Sequence, residues 1–300
     1  MQQIQLDTAR TGSYLILDTL SKLGVETIFG YPGGAVLPLY EAIFHYKNIR
    51  HILARHEQGA VHAAEGYAKS SGRIGVAVVT SGPGATNAIT GIADAMGDSV
   101  PLLVFSGQVA TPGIGKDAFQ EADIIGITTP ITKYNYQIRH TEDIPRIITE
   151  AIHIATTGRP GPVVIDVPKD IQERMVEAHH DPTVHLPSYQ PTVEPNGLQV
   201  KKILHQLTLS KKPVLLAGGG INYADANQEL IAFAERYQIP VVSTLLGLGA
   251  MPIEHDLSLG MGGMHGSYAS NMALTEADFI LNIGARFDDR LTGRVNSFAV

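Results

Sequence analysis

Glu57 stands between His56 and Gln58, just after the apolar run Ile49–Ala54 and at the start of a helical pattern that runs to Ser70. Two chemistries fit a carboxylate there. The helix macrodipole favours a negative charge in the first turn, which makes Glu57 a capping group. A buried carboxyl can instead exchange a proton or hydrogen-bond a cofactor nitrogen. Glycine-rich turns supply the other candidates: Gly30-Tyr31-Pro32-Gly33-Gly34, Ser81-Gly82-Pro83-Gly84 and Gly218-Gly219-Gly220. Each follows an apolar run, where glycine serves either a tight strand-to-helix turn or a close approach of backbone to a ligand. Common signatures are missing. Gly115-Lys116 continues into Asp117 and not into the Ser or Thr of a phosphate loop, and no G-x-S-x-G elbow occurs. His56-Glu57 begins like a zincin helix, but its partner position is Ala60, so no metal ligand set is assigned.

The elements that must hold these residues alternate. Helices are predicted over Gly12–Leu23, Val36–Tyr46, Glu57–Ser70, from after the Ser81–Gly84 turn to Met96, and over Glu142–Thr156. Strands are predicted over Glu26–Phe29, Ile49–Ala54, Ile74–Thr80, Leu102–Phe105, Ile131–Ile138 and Pro162–Val167. Alternation of this kind predicts an α/β fold with a mostly parallel sheet. The stretch Gln172–Asn196 has little periodicity, with Pro182, Pro187, Pro191 and Pro195 and three histidines, His179, His180 and His185. It reads as a linker, its histidines as solvated. A second α/β unit follows: helices Leu198–Leu209, Asp225–Tyr237 and Ser267–Leu274, and strands Pro213–Ala217, Pro240–Ser243 and Asp278–Ile283. The expected organisation is therefore 1–170, a linker at 171–196, and an incomplete doubly wound domain at 197–300.

Composition removes several function classes. The 22 Lys and Arg against 29 Asp and Glu give a net charge of −7, which disfavours nucleic acid and anionic membranes as partners. The absence of Cys excludes disulfides, thiolate metal sites and cysteine nucleophiles. No uninterrupted apolar run reaches the roughly 18 residues of a membrane span, and Met1–Ser13 lacks the apolar centre of a secretory signal, so a cytoplasmic location is expected. Only 17% of residues are charged and 44% are hydrophobic, a balance that suggests surfaces buried by oligomerisation.

Taken together, the turns and their neighbours resemble the thiamine diphosphate enzymes of the acetolactate synthase group. The blocks are Gly30-Tyr31-Pro32-Gly33-Gly34-Ala35, Arg55-His56-Glu57-Gln58-Gly59-Ala60, Ala64-Glu65-Gly66-Tyr67-Ala68, Thr80–Asn87, Asp117-Ala118-Phe119-Gln120-Glu121 and Gly158–Pro162. Related decarboxylases of the pyruvate oxidase type share the first of these. Gly284-Ala285-Arg286-Phe287-Asp288-Asp289-Arg290 narrows the resemblance to the biosynthetic, FAD-containing type. It covers essentially the whole chain.

The resemblance implies a thiamine-binding fold followed by a FAD-binding domain. It implies decarboxylation of pyruvate and transfer of the two-carbon unit to a second 2-ketoacid, pyruvate or 2-ketobutyrate. Glu57 becomes the partner of the cofactor aminopyrimidine, Gly33, Gly34 and Ala35 the loop over the reacting centre, whose N–H groups can stabilise an oxyanion, and Gln120 a contact to cofactor and substrate. Arg290 would grip the carboxylate of the second ketoacid, with an interior ion pair to Asp288 or Asp289 as its structural alternative. Phe119, Lys133, Lys169 and Asp289 would line the substrate channel. FAD would contact Ser99, Arg159, Gly218, Gly219, Gly220, Gly262, Gly263, Met264, His265, Gly284, Ala285, Arg286, Phe287 and Asp288. A homodimer or larger oligomer and a regulatory small subunit are the implied partners. One departure stands out: the Gly-Asp-Gly segment and later Asn that hold Mg²⁺ and the diphosphate in this family do not occur. The chain is accordingly expected to be a fragment or one part of a split enzyme, inactive alone. A non-catalytic FAD-binding or interaction module is the alternative from another class.

Overall fold

The computed structural model describes residues 10–177 and 183–299, which divide into two compact units, Met1–Val193 and Glu194–Val300. In the first unit six parallel strands form one sheet: β2 (Thr27–Gly30), β3 (Arg50–Leu53), β4 (Gly75–Val79), β5 (Leu102–Gln108), β6 (Tyr134–Gln137) and β7 (Pro162–Pro168), in the order β3-β2-β4-β5-β7-β6. A small antiparallel pair, β1 (Arg10–Thr11) with β8 (Met175–Val176), ties the two ends of this unit together.

The central strands are apolar on both faces, as a sheet covered on both sides requires. Val76, Val78, Leu103 and Phe105 point into a core shared with α1 (Gly12–Lys22) and α7 (Ile144–Thr156). Ala77, Val79, Leu102 and Val104 point into the opposite core, where α3 (Glu57–Ser71) and α5 (Ile89–Asp98) lie. The face of α3 is built from Ala60, Val61, Ala64 and Ala68. Small side chains let this helix lie close to the sheet and to α5: a Cβ on Gly75 of β4 would strike the carbonyl of Ala64 (its carbon is at 2.8 Å), and one on Gly91 of α5 would come within 2.9 Å of Val61 Cβ. The remaining helices are α2 (Leu37–His45), α4 (Pro83–Asn87), α6 (Ile124–Thr128) and α8 (Lys169–Glu173).

Strand β5 runs three residues beyond the expected Phe105, because Ser106, Gly107 and Gln108 continue the ladder against Asp166, Val167 and Pro168. The expected linker boundary also moves. Ile171 and Gln172 are fully buried in α8, β8 is paired, and the Tyr189 hydroxyl donates to the Thr157 carbonyl at 2.8 Å. The described residues from 171 to Val193 therefore belong to the first unit. His179, His180 and Pro182 lie outside the described residues, and His185 is exposed.

The second unit carries a four-stranded parallel sheet ordered β11-β10-β9-β12, from β9 (Pro213–Ala217), β10 (Val241–Ser243), β11 (Ser258–Met261) and β12 (Phe279–Ile283). Its helices are α9 (Gly197–Leu209), α10 (Gly219–Tyr223), α11 (Asn227–Tyr237), α12 (Tyr268–Glu276) and α13 (Asp289–Thr292). Leu215, Ala217, Ile221, Leu230 and Ala234 pack on one face of the sheet, and Val214, Leu216, Val242 and Leu274 on the other. Strand β11 and the one-turn helix α10 were not expected from the sequence.

Candidate functional site

Ligands of parallel sheets bind at the carboxyl ends of the strands, where the strand order reverses. In the first unit that point lies between β2 and β4, and two of the turns singled out in the sequence, Gly30–Gly34 and Ser81–Gly84, meet there around Thr80. Glu57 opens α3 after β3 and is only 7% exposed. It is not the cap: His56 caps α3, its Nδ1 accepting from the Gln58 amide at 3.2 Å. The Glu57 carboxylate is instead held from a distant part of the chain, Oε2 accepting from Asn87 Nδ2 at 3.0 Å. Its other oxygen, Oε1, faces Gly84, where an added Cβ would come within 3.1 Å of it.

Thr80, immediately after β4, is the hub of this edge. Its Oγ1 accepts from the Ala35 amide at 3.2 Å. A Cβ on Gly33 would sit 2.5 Å from Thr80 Cβ, and one on Gly84 would sit 2.6 Å from Thr80 Cγ2. The Ala35 carbonyl is held from the other side by Gln172 Nε2 at 2.8 Å. Ala35 is thus fixed at both ends of its residue, and its N–H, expected to face an oxyanion, is committed to Thr80. The Tyr40 hydroxyl approaches the Val78 carbonyl at 3.5 Å; burial, then the charge of Glu57, push its pKa up.

Gln120 reaches this edge from the segment after β5. Its φ is +59°, and its backbone packs on the Gly82 turn, where a Cβ would come within 2.5 Å of the Gln120 carbonyl oxygen. Phe119 beside it is 87% exposed, and Lys169 begins α8 at the same carboxyl edge. Lys133 does not join them. It precedes β6 and therefore sits at the amino edge of the sheet, where its ammonium donates to the carbonyls of Ile154 and Thr157 and to the Tyr189 hydroxyl. A cation satisfied by those three oxygens, on the opposite edge from Glu57, does not line the same channel. Ser99 and Arg159 meet at the amino edge too: Arg159 Nε donates to Ser99 Oγ at 2.7 Å and its Nη2 to the carbonyls of Met96 and Gly97, closing the end of α5.

In the second unit the order reverses between β9 and β12. Gly218–Gly220 and Gly284–Asp288 follow those two strands, and Gly262–His265 follows β11. The glycines are demanded by the protein's own backbone. A Cβ on Gly218 would overlap the Gly284 carbonyl and Ala285, and one on Gly220 would lie 2.7 Å from Gly284 Cα. The Gly220 amide donates to the Gly284 carbonyl at 3.0 Å, and the Met264 amide to the Arg290 carbonyl at 2.7 Å. Met264 and Phe287 are more than half exposed along this edge, and His265 is exposed. Asp288 caps α13 through the amides of Arg290 and Leu291, while Arg286 Nε stands 3.6 Å from Asp288. The Arg290 side chain is 68% exposed and its Nη1 is 3.7 Å from Asp289, so it forms no interior ion pair.

His62, Glu65 and Asp94 bring potential metal ligands within 4.8 Å of one another on α3 and α5. Lys69 occupies that cluster, 2.7 Å from Glu65 and 2.8 Å from Asp98, so it reads as an ion-pair network. Among the described residues no helix is long and apolar enough to cross a membrane. Sequence reasoning assigned no role to Thr80, Asn87, Tyr40 or Gln172. Thr80 and Asn87 stand within a quoted block, but nothing in their spacing shows which side chains they hold.

Residues 10–127 match the family described as thiamine pyrophosphate enzyme, N-terminal TPP binding domain, and residues 200–300 match the thiamine pyrophosphate enzyme central domain. The chain belongs to the thiamine pyrophosphate enzymes. Within that family it is similar to the acetolactate synthase large subunit of Lactococcus lactis, 65% identical over 291 residues, which is 97% of this chain and 51% of that protein. It is 50% identical over 289 residues to the large subunit of Corynebacterium glutamicum, covering 96% of this chain and 46% of the relative. A probable acetolactate synthase large subunit of Methanocaldococcus jannaschii is 50% identical over 291 residues, 96% of this chain and 49% of that protein. The chain thus spans about half the length of these relatives.

Proposed function

We propose that this chain supplies the pyrimidine-binding and FAD-binding parts of an acetolactate synthase catalytic subunit. The observation that carries the reading is Glu57: buried at the β2/β4 reversal, with one oxygen held by Asn87 and the other facing Gly84. A carboxyl fixed in that way can meet a heterocyclic nitrogen and exchange a proton with it at Oε1. Thiamine diphosphate bound here would supply the carbon nucleophile for decarboxylation of pyruvate and for addition of the two-carbon unit to a second 2-ketoacid. The chain's own work is positional. Glu57 holds or moves the proton, Asn87 orients Glu57, and Thr80 with Gln172 fixes the Ala35 segment beside it. Gln120 is set to contact the substrate.

The products under this reading are 2-acetolactate and, from 2-ketobutyrate, 2-aceto-2-hydroxybutyrate, precursors of branched-chain amino acids. Arg290 offers an exposed guanidinium whose fork suits the acceptor carboxylate. For FAD, the fitting surface is the β9/β12 reversal with the exposed Met264, His265 and Phe287, and we assign the cofactor a structural role there. Mg²⁺ finds no fitting set among the described residues, since the one triad of potential ligands is tied up by Lys69. We assign Mg²⁺ and the diphosphate contacts to the part of the relatives that this chain does not match. An oligomer and a regulatory small subunit complete the proposal.

The test is reconstitution. The 300-residue chain is mixed with a separately expressed C-terminal half of a large subunit, thiamine diphosphate, Mg²⁺, FAD and pyruvate, and acetolactate is measured colorimetrically as acetoin. Activity is expected in the mixture only, and Glu57→Gln should lower it at least a hundredfold, because Gln keeps the shape but cannot exchange the proton. Activity within a few-fold of the unmodified chain would remove Glu57 from this role.

A further inference from the structure

The segment between β5 and α6 carries Phe119 and Gln120 but has almost no regular structure, only a single 3-10 turn at Thr111–Gly113. Three of its residues sit in the left-handed region: Gly115 at φ +79°, Asp117 at +53° and Gln120 at +59°. For the two that are not glycine this costs about 1 kcal/mol or more each, so something must hold the backbone there. Glu121 does so. Its carboxylate accepts from the Gly115 amide and, at 2.9 Å, from the Ala118 amide. The Gly115 amide first, then that of Ala118, keeps the Glu121 carboxyl below the usual carboxylate range. The Glu121 amide in turn donates to the Ala118 carbonyl at 2.9 Å, closing the turn that contains Phe119 and Gln120.

The ends of the segment are tied by other groups. Asp170 accepts from the amide and hydroxyl of Thr111 at 2.8 and 3.0 Å, and Gln108 Nε2 donates to the Ala122 carbonyl at 3.2 Å. Asp123 caps α6 on the Gly126 amide. Between these anchors, the Gln120 backbone rests on the Gly82 turn, and the same turn presents Gly84 to Glu57. We propose that Glu121 is a positioning residue: by gathering the loop amides on its carboxylate, it fixes the left-handed Gln120 against Gly82 and so sets Gln120 and Phe119 beside Glu57. This deepens the proposed function and rests on reading Gln120 and Glu57 as one site.

Hydrogen exchange of the full 300-residue chain, without ligands, tests it. At pH 6, Glu121→Gln should speed exchange of the Gly115 and Ala118 amides at least tenfold. Exchange at Thr86, whose amide donates to Gly82, should rise at least threefold because its turn loses the Gln120 contact. The Val104 and Phe105 amides of β5 should exchange as before and report that the unit is folded. In the unmodified chain, protection at Gly115 should disappear as pH falls below the usual carboxylate range. Lys116 and Asp117 on the loop and Asp123 and Asp170 at its ends are the charged groups around it, and the Glu121→Gln profile is the reference that subtracts their titration. Unchanged exchange at Gly115 and Ala118 would overturn the proposal. So would a change confined to 115–121 with Thr86 unaffected, since Glu121 would then brace only its own loop. The readout needs neither cofactor nor turnover, so a fully active Glu57→Gln enzyme would defeat the functional reading while leaving this result standing.

Discussion

Asp166, in the middle of β7, is fully buried. Its Oδ2 accepts from Gln108 Nε2 at 3.2 Å and Gln137 Nε2 at 3.0 Å, and its Oδ1 is buried without a hydrogen-bond partner. Burial raises its pKa from the ordinary 3.8 to about 6, against the pull of the two amides, with Asp123 adding a like charge. The folded form therefore binds the proton more tightly than the unfolded form. Its stability contribution is fully present below the unfolded value and is lost as pH rises through about 6. The full difference is worth about 3 kcal/mol, of which about 2 kcal/mol falls between pH 4.5 and 7.5. Asp166→Asn keeps an acceptor for both amides and cannot ionise. Relative to the unmodified chain, the variant should therefore gain about 2 kcal/mol over that pH interval, whatever its offset at pH 4.5. Because the chain has two units, the assay is the opening free energy of the first unit alone, read from exchange of the Val104 and Val164 amides after correction for intrinsic rates. The expected signature is a change of about thirtyfold in the ratio of variant to unmodified protection factors between the two pH values. A ratio that stays constant would show that the folded and unfolded forms take up the Asp166 proton alike, so that burial does not raise its pKa, and the argument from its isolation would fail.

Two substitutions probe the glycines of the turns after β4 and β2. Gly84→Ala should destabilise the first unit by about 1–3 kcal/mol through overlap with Thr80 Cγ2, and adding Thr80→Ser, which removes that methyl and keeps the hydroxyl for Ala35, should recover half or more in thermal melts; no recovery would locate the strain elsewhere. Gly34→Ala should leave thermal stability unchanged or raised by less than about 1 kcal/mol, since a Cβ there meets nothing within 4 Å, yet should lower acetolactate formation in the reconstituted mixture at least tenfold; full activity would separate Gly34 from the site.

Much of this architecture is legible in the residues because the relevant physics is local. The β-branched and apolar runs mark Gly75–Val79 and Pro162–Pro168 as buried strands, and small residues at helical spacing mark α3. Glu57 stands out because a carboxylate at the junction of strand and helix already has two defined uses. What was not legible depends on long-range pairing. Strand β11, Ser258-Leu259-Gly260-Met261, bears a glycine at φ +81° and no alternation, and it is a strand only because β10 lies beside it. Gln172 was placed in a linker because it precedes a proline-rich stretch, yet it is fully buried and holds Ala35, 137 positions earlier. Lys133 was placed in the channel by resemblance, whereas the direction of β6 puts it at the other edge of the sheet.

The glycines show how sequence and structure divide the work. A glycine-rich turn after a strand has two explanations, and neither motif nor spacing separates them. Gly33, Gly84, Gly218 and Gly220 are each required by the folded chain itself, because an added Cβ would strike Thr80 or the Gly284 turn. Their presence is fully accounted for without a ligand. Gly34 differs: it is exposed, its surroundings are open, and its φ is not in the left-handed region. Folding alone gives no reason for glycine there, and an alanine would restrict the unfolded chain at no steric cost. A residue that stability would replace and the protein retains points to something outside the chain that must come close. Gly34 lies one residue before Ala35, whose backbone Thr80 and Gln172 hold in place, at the edge where Glu57 presents Oε1. Under the proposed function, Gly34 is a point at this edge where a ligand comes close and folding alone does not require glycine, next to the Ala35 backbone that Thr80 and Gln172 hold in place.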